Sequence, residues 1–289
     1  HGRTMGSVTY TTSKAKYRQG YHPLLPSVFI TPYPHPFSWG MTQEEANAYA
    51  LRELDMMFRH VVTPGEVAAF LVEPMQGEGG YYPASFEFLS ALRSIADEHG
   101  ILMIMDEVQS GFGRTGDWFT SQVYGIEPDI LVMGKAIANG LPLSAVGSSS
   151  KILEKFPPGS HGTTFGGNPV SCAAANAVVN ELRNVIPGVA ERSAHSFARW
   201  NEAKDRYRTI GDVRGLGLLI GIDLVTEGNT PDPDAFPAIS ANAFESGLFV
   251  LNCGPADNII RFIPPLNVTM DDLDRGIDIL IDAIARYEK

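Results

Sequence analysis

The sequence contains very little cysteine. Only Cys172 and Cys253 occur among its 289 residues, and they lie far apart without the spacing of metal ligands. This argues against a disulfide framework and against a zinc site, so we expect no metal. Because disulfide-free chains are typical of reducing compartments, we expect the protein to be cytoplasmic.

Long apolar runs and clusters of basic residues are also lacking. No apolar run approaches the roughly 18 residues that a transmembrane helix needs, so we expect no membrane span. The formal net charge is -11 at pH 7, and no run is rich in lysine and arginine. This balance argues against a nucleic acid or an anionic membrane as partner and favours small-molecule chemistry.

The chain has no initiator methionine. It opens on His1-Gly2-Arg3 with no structural element before it, which predicts a fragment of a longer protein. The lack of a signal peptide is therefore weak evidence about targeting.

What is present is a large apolar content and two strand-like runs that end in ionisable side chains. With 44% hydrophobic residues, the chain can form one large domain or two smaller ones. Residues 101–105 lead into Asp106, and residues 130–133 lead into Gly134 and Lys135, about one β-α-β crossover later. We expect neighbouring parallel strands whose carboxyl ends face one ligand crevice.

An acid and an amine in one crevice suggest pyridoxal phosphate. A lysine can form a Schiff base with the cofactor aldehyde, and an aspartate can pair with the protonated pyridine nitrogen. The alternative is that charged residues end buried strands because the chain is leaving the core. For Asp106 or Lys135 alone that alternative is favoured, but together with the glycine-rich turns at 73–80 and 108–116 they favour a site.

Local patterns predict the order of elements. Prolines make 8–39 an extended loop, Thr42 and Glu45 form a capping box, and Asn168 with Pro169 starts an alanine-rich helix. We expect a polar loop at 226–237, helices at 42–61, 83–99, 170–182, 189–207, 238–246 and 271–287, and strands at 67–72, 101–106, 130–133, 143–148, 211–225, 248–251 and 258–263.

A change in composition predicts two domains. Residues 1–186 form an α/β large domain, and 187–289 form a smaller α+β domain.

Glu73 either tunes the site or merely ends its strand. We interpret three methionines, Met103, Met105 and Met133, as core filler. Six histidines are expected to be ordinary surface or loop residues: His22, His35, His60, His99, His161 and His195.

Several segments carry a family resemblance. They are His1 to Gly6, Glu73 to Gly80, Asp106 to Gly116, Gly134-Lys135, Thr163 to Pro169, Asn252 to Pro255 and Ile260 to Phe262. With them the chain closely resembles, from end to end, the class III aminotransferases, which are fold type I pyridoxal-phosphate enzymes. The resemblance implies a large domain with a mostly parallel sheet and a smaller C-terminal α+β domain.

The resemblance implies that pyridoxal 5′-phosphate is held at the strand ends. Lys135 would be the Schiff-base lysine and would move the proton between the substrate Cα and the cofactor C4′. Asp106 would hold the pyridine nitrogen, Gln109 the cofactor 3′-oxygen, and Val108 would pack on one face of the ring.

The resemblance also implies a homodimer with a shared active site. Thr164, with Thr163 beside it, would bind the cofactor phosphate of the neighbouring subunit. Small hydroxyl and glycine residues before a helix suit a phosphate contact, because hydroxyls and backbone N–H groups can both donate.

Three further residues would bind substrate. Arg261 would bind the α-carboxylate of 2-oxoglutarate or glutamate, and would pair with Glu78 when the amino donor has no α-carboxylate. A planar, bidentate guanidinium suits that task. Arg3 would bind a distal carboxylate, although it could equally be a solvated arginine.

The implied reaction is transfer of an amino group from an ω-amino acid to 2-oxoglutarate by a ping-pong route. The stretch Cys253-Gly254-Pro255 favours 4-aminobutyrate as the donor. Alternatives within the family are ornithine, acetylornithine, diamine and β-alanine transaminases and amino-acid racemases. Outside it are an inactive fragment that keeps the fold for binding, and a nicotinamide-dependent dehydrogenase, for which no G-x-G-x-x-G turn is found near a first strand.

Family members carry roughly a further hundred or more residues before this histidine, a domain-sized piece. That piece includes a small-residue phosphate loop and an aromatic side chain that stacks on the cofactor. The resemblance therefore implies that this chain by itself lacks one wall of the site.

Overall fold

The computed structural model describes residues 2–289, so His1 lies outside the described residues. The described chain builds two four-stranded sheets with helices around them. The helices are α1 (Met5–Tyr10), α2 (Pro36–Trp39), α3 (Gln43–His60), α4 (Phe86–His99), α5 (Thr120–Tyr124), α6 (Ser150–Leu153), α7 (Pro169–Val185), α8 (Val189–Arg206), α9 (Ala235–Glu245) and α10 (Met270–Tyr287). The strands are β1 (Ala69–Val72), β2 (Leu102–Asp106), β3 (Ile130–Met133), β4 (Ala145–Ser148), β5 (Ile210–Leu216), β6 (Leu219–Leu224), β7 (Leu251–Cys253) and β8 (Ile259–Phe262).

The first sheet has the order β1-β2-β3-β4. Strands β1, β2 and β3 are parallel, while β4 runs antiparallel at the edge. Asp106 is paired with Val132, so the residues that follow β3 emerge at the same end of the sheet as Asp106. The predicted neighbouring parallel strands are therefore confirmed.

Helices α3 and α4 cover one face of the first sheet. Their apolar side chains enclose Met103 and Met105, which are fully buried and are core residues as predicted, whereas Met133 is only half-buried. Helix α3 begins with the predicted capping box of Thr42 and Glu45, and α4 ends at the left-handed Gly100. Such ends satisfy backbone groups that a helix leaves unpaired.

The second sheet is antiparallel throughout, with the order β5-β6-β8-β7. Helices α8, α9 and α10 bury a core against it that includes Trp200, Ile220, Ile222 and Leu280. A 3-10 turn, Ile186–Gly188, joins α7 to α8. The predicted domain boundary falls in this turn and stays a prediction.

Several predicted bounds are wrong. The segment 8–39 is not wholly extended, because it includes a 3-10 turn at Ala15–Tyr17 and helix α2. The stretch 211–225 is a hairpin of two strands rather than one, with Gly217 at φ 57 in its turn. Hydrophobic content alone does not mark such a turn.

The bounds near α9 also differ from the prediction. Helix α9 begins at Ala235, so Pro237 lies in its first turn rather than in the preceding loop. A proline is tolerated there because the first N–H groups of a helix have no intrahelical acceptor. The predicted strand at 248–251 is displaced to Leu251–Cys253. Within residues 2–289, no helix combines the length and apolarity needed to cross a membrane.

Candidate active site

A cavity of about 1760 Å³ extends from α3 and the length of β1 to the carboxyl ends of β1, β2 and β3. Asp106 and Lys135 both line it, as the strand pattern predicted. Glu73, Glu78 and Arg261 line the same cavity. Because Arg261 belongs to β8, the second sheet supplies part of a cavity that opens at the strand ends of the first.

Lys135 follows β3 in a left-handed backbone conformation, with φ 41. The residue is exposed, and it lines the cavity. Burial lowers the pKa of Lys135, although the carboxylates of Glu73, Glu78 and Asp106 oppose that effect. A lysine with a lowered pKa is closer to the neutral, nucleophilic amine.

Asp106 and Glu73 lie side by side at the ends of neighbouring strands. Asp106 is 5% exposed and accepts a hydrogen bond from the Val108 backbone N–H at 3.1 Å. Glu73 accepts one from the Gly77 backbone N–H at 2.6 Å. Burial, followed by repulsion from Asp106, raises the pKa of Glu73 to about 7. Glu73 can therefore hold a proton near neutral pH beside the Asp106 carboxyl.

Glu107, the second carboxylate of the motif, points away from the cavity. It is fully buried and accepts hydrogen bonds from the backbone N–H groups of Thr120 at 2.5 Å and Ser121 at 2.8 Å. These groups lie at the first turn of α5. Successive side chains of an extended segment point to opposite sides, so Asp106 faces the cavity while Glu107 faces α5.

Glu78 and Arg261 form an ion pair across the cavity. Arg261 Nη1 donates to Glu78 Oε1 at 2.5 Å, and the two side chains are only 15% and 27% exposed, Arg261 being the more buried. The Nε atom of Arg261 is buried and has no hydrogen-bond acceptor among residues 2–289. The guanidinium therefore has donor capacity left for an anionic ligand.

Arg3 and Tyr17 complete this end of the cavity. The Arg3 guanidinium lies 3.9 Å from the centre of the Tyr17 ring. Tyr17 Oη donates to Glu78 Oε2 at 3.1 Å. Nothing in the sequence pattern singled out Tyr17, because it is one aromatic residue in an irregular segment.

Gln109 and Val108 lie behind the cavity wall rather than among its lining residues. Gln109 packs closely on Gly77, where an added Cβ would come within 2.2 Å of Gln109 Oε1. That oxygen is buried and accepts no hydrogen bond within the described chain. The side chain of Val108 lies against Gly134, where an added Cβ would come within 3.1 Å of Val108 Cγ1.

The structure does not bring Thr163 and Thr164 to this cavity. Both are exposed in the turns before α7, which Asn168 caps by accepting from the Ser171 N–H. The predicted helix start at Asn168 and Pro169 is confirmed. A phosphate contact by Thr164 in a neighbouring subunit stays a prediction.

His35 lies in the loop before α2, as predicted, but it is half-buried and makes specific side-chain contacts. Its ring stacks on Tyr82, with centroids 4.1 Å apart, and its Nε2 lies 2.6 Å from Gln76 Oε1. Burial lowers the pKa of His35 to about 4, so the ring is neutral at physiological pH. The stacking partner is 47 residues away in sequence, since the positions are 35 and 82, and periodicity could not reveal it.

The chain matches the family model of class-III aminotransferases over residues 1–284. It is 39% identical to an alanine/serine racemase of Pyrococcus horikoshii, over 98% of this chain and 62% of that protein. It is 36% identical to an acetylornithine aminotransferase of Clostridium acetobutylicum, over 98% of this chain and 66% of that protein. It is also 35% identical to a 4-aminobutyrate aminotransferase of Escherichia coli, over 97% of this chain and 66% of that protein.

Solved structures agree with the family match. An amine transaminase from an uncultivated Pseudomonas species, in its PLP-bound form, has a TM-score of 0.90 at 30% identity and covers 99% of this chain and 67% of that one. The chain thus spans 62% to 66% of the length of these three curated relatives. Because the family model matches nearly all of the described strands, helices and cavity residues, the chain belongs to the class-III aminotransferases and has their fold type I architecture, as the sequence motifs predicted.

Proposed function

We propose that this chain carries the reaction centre of a pyridoxal-phosphate-dependent transaminase. The amino donor is an ω-amino acid of the 4-aminobutyrate type, and the acceptor is 2-oxoglutarate. The observation that carries the proposal is that Asp106 and Lys135 line one cavity with the Glu78–Arg261 ion pair. One end offers an amine and an acid for the cofactor, and the other offers a cation for a substrate carboxylate.

The donor and acceptor groups present fit this cofactor. Lys135 offers an amine of lowered pKa, Asp106 a buried carboxyl, and Gln109 a buried oxygen that accepts no hydrogen bond within residues 2–289. When bound, pyridoxal phosphate supplies an aldehyde that condenses with amines and a protonated ring that withdraws electrons from the substrate Cα. Gln109 would hold the 3′-oxygen, and Val108 would support one face of the ring.

Asp106 would accept the hydrogen bond from the protonated ring nitrogen. A carboxylate at that position keeps the proton on the nitrogen, because opposite charges close together favour both charged forms. Glu73, with a pKa of about 7, can take up a proton, which relieves repulsion between the two acids. Lys135 Nζ, at the other side of the crevice, would move the proton between the substrate Cα and the cofactor C4′.

Arg261 would recognise the substrate α-carboxylate. Its unpaired Nε and its forked donors can bind a carboxylate with two hydrogen bonds. With a donor such as 4-aminobutyrate, which has no α-carboxylate, Arg261 would return to Glu78. Arg3, on the cavity wall, would bind the distal carboxylate.

We further propose a homodimer with shared sites. Phe165 is 82% exposed and Val170 is 69% exposed, on either side of the start of α7. Large apolar side chains so exposed and so close together favour burial against another copy. In that dimer Thr163 and Thr164 would reach the cofactor phosphate of the partner subunit.

A racemase is a second candidate, because the chain is 39% identical to the alanine/serine racemase and 36% and 35% identical to the two aminotransferases. A racemase exchanges the Cα proton without transferring nitrogen. Incubating the cofactor-loaded chain with L-alanine in deuterated water separates the two activities. Deuterated D-alanine formed without an oxo acid supports racemisation, whereas 4-aminobutyrate-dependent formation of glutamate from 2-oxoglutarate supports transamination.

The central test is an absorbance spectrum of the purified chain with added pyridoxal phosphate. We expect the band of a lysine-bound cofactor in the wild-type chain, its loss in Lys135→Ala, and its retention in Lys155→Ala, which removes an exposed lysine. Adding 4-aminobutyrate should then convert the band to that of the amine form. A wild-type chain that forms no such band while its mass is that of the full sequence would refute the proposal for this chain.

A further inference from the structure

One carboxylate in the cavity is shared by two donors from different parts of the chain. Glu78 Oε1 accepts from Arg261 Nη1 at 2.5 Å, and Glu78 Oε2 accepts from Tyr17 Oη at 3.1 Å. Each oxygen therefore has its own donor. The phenol does not compete with the guanidinium, and it can stay in place when the guanidinium leaves.

Tyr17 is held in this position by ion pairs of the residues just before it in sequence. Lys14 and Lys16 both contact Asp257, Lys16 at 3.1 Å from Oδ2. Asp257 lies in the turn between β7 and β8, four positions before Arg261. The segment that carries Tyr17 is thus fastened to the same hairpin that carries Arg261.

Release of Arg261 would leave Glu78 without a salt-bridge partner within residues 2–289. Because the Glu78 side chain is only 27% exposed, water does not fully replace the lost donor, and an unsatisfied carboxylate is costly. A hydrogen bond to a charged acceptor is stronger than a neutral one. The Tyr17 hydroxyl should therefore stabilise the released state more than the paired state.

We propose that Tyr17 is a positioning residue that holds Glu78 while Arg261 binds a substrate carboxylate, and so strengthens the binding of dicarboxylic substrates relative to ω-amino donors. The inference rests on the proposed role of Arg261. Tyr17 is then a fixed third member of the Glu78–Arg261 pair. It influences which of the two substrate classes binds, although it touches neither the cofactor nor the reacting atoms.

The first test is Tyr17→Phe in the cofactor-loaded chain. Phenylalanine keeps the ring beneath Arg3, which lies 3.9 Å from its centre, and removes only the hydroxyl. By titration calorimetry, we expect the Kd of glutarate, a dicarboxylate without a reactive group, to rise about tenfold, as for loss of a hydrogen bond to a charged group. The apparent KM of the half-reaction with 4-aminobutyrate, which converts the cofactor to its amine form, should change less than about twofold. Equal effects on both ligands would overturn the inference.

A matched control is Tyr287→Phe. Tyr287 Oη donates to Asp232 Oδ2 at 2.8 Å, a tyrosine-carboxylate pair remote from the cavity lining. We expect no change in glutarate binding. In a Glu78→Gln background, Tyr17→Phe should change the Kd of glutarate by less than about twofold, because the charged acceptor is gone. A tenfold loss that persists in that background would show that Tyr17 acts on the ligand directly.

A second readout needs no ligand. Burial and then Glu78 raise the pKa of Tyr17, which can be followed by NMR with ring-labelled tyrosine. Replacing Arg261 with Gln mimics release, so the pKa of Tyr17 should rise further, whereas Glu78→Gln should lower it. A pKa of Tyr17 that stays the same in both the Arg261→Gln and the Glu78→Gln variants would overturn the inference. If both shifts occur but the wild-type protein binds no glutarate, the proposed role of Arg261 fails and with it the effect on substrate choice, whereas glutarate binding that Tyr17→Phe leaves unchanged overturns the inference alone.

Discussion

The two ends of the cavity are built in different ways. At the cofactor end, Asp106 and Lys135 follow adjacent parallel strands, so hydrogen bonding between β2 and β3 fixes their spacing. At the substrate end, Tyr17, Glu78 and Arg261 come from three distant segments and meet through side-chain contacts. A backbone-fixed end suits chemistry that needs constant geometry, and an end joined by side chains suits a site that must change partners.

The largest expected effect is at the cofactor end. Asp106→Asn should lower the rate of amine-form production by about 10²–10³, because the negative charge opposite the ring nitrogen is lost. The neighbouring Glu107→Gln should leave the cofactor spectrum unchanged but lower the free energy of unfolding by about 1–3 kcal/mol, because Glu107 caps α5. Single-turnover kinetics and denaturant titration measure the two results. Identical behaviour of both variants would contradict the division between these carboxylates.

The pH dependence of stability should also depend on the cofactor end. The pKa of Glu73 rises from 4.5 to about 7 on folding. The protonated Glu73 side chain therefore stabilises the folded state fully below about pH 4.5, and this stabilisation is lost as pH rises through about 7. Above that pH the charged form costs roughly 3 kcal/mol. Glu73→Gln should remove this slope and stabilise the protein at pH 8.

Denaturant titrations at pH 5, 6, 7 and 8 measure this effect. Glu98→Gln, which changes an exposed carboxylate, is the control and should leave the slope as it is in the wild-type protein. An unchanged slope in Glu73→Gln would show that another group titrates in this range.

At the substrate end, Arg261→Lys should weaken binding without affecting the cofactor. Lysine keeps the charge but loses the forked donors, so we expect the KM for 2-oxoglutarate to rise about tenfold to thirtyfold. The half-reaction with 4-aminobutyrate should change little. Arg199→Lys alters a guanidinium that bridges Asp274 and Asp278 outside the cavity, and it should leave both half-reactions unchanged.

The smallest expected effect concerns the fastening of Tyr17. Asp257→Asn weakens the contacts with Lys14 and Lys16, so Tyr17 should hold Glu78 less well. We expect the Kd of glutarate to rise about twofold to fivefold, below the effect of removing the hydroxyl itself. Calorimetry on Asp257→Asn and Tyr17→Phe together tests this, since the double variant should bind no more weakly than Tyr17→Phe alone.

The cofactor end could be predicted from the sequence because it depends on local rules. An apolar run of strand length, a charged residue at its end and a second such run one crossover later are enough to place Asp106 near Lys135. The capping box at Thr42 follows from an equally local pattern.

The substrate end could be predicted only in part. The motifs carried by Glu78 and Arg261 indicated a pair through family resemblance, but nothing near Tyr17 or His35 in sequence marks their partners. Such contacts depend on how the segment before α2 packs against the loop between β1 and α4, and single-sequence periodicity carries no information about that. The hairpin at 211–225 was missed although Gly215 and Gly217 signal a turn, because apolar residues lie on both sides of them.

Arg261 belongs to the second sheet, whereas Lys135 and Asp106 follow strands of the first. A ligand held at both ends of the cavity is therefore a non-covalent cross-link between two separately packed cores. A ligand that binds only the folded protein shifts unfolding by mass action. A ligand that engages both Lys135 and Arg261 should thus make the two cores melt as one cooperative unit, and a ligand that engages only the first sheet should stabilise one core and leave the other free to melt earlier.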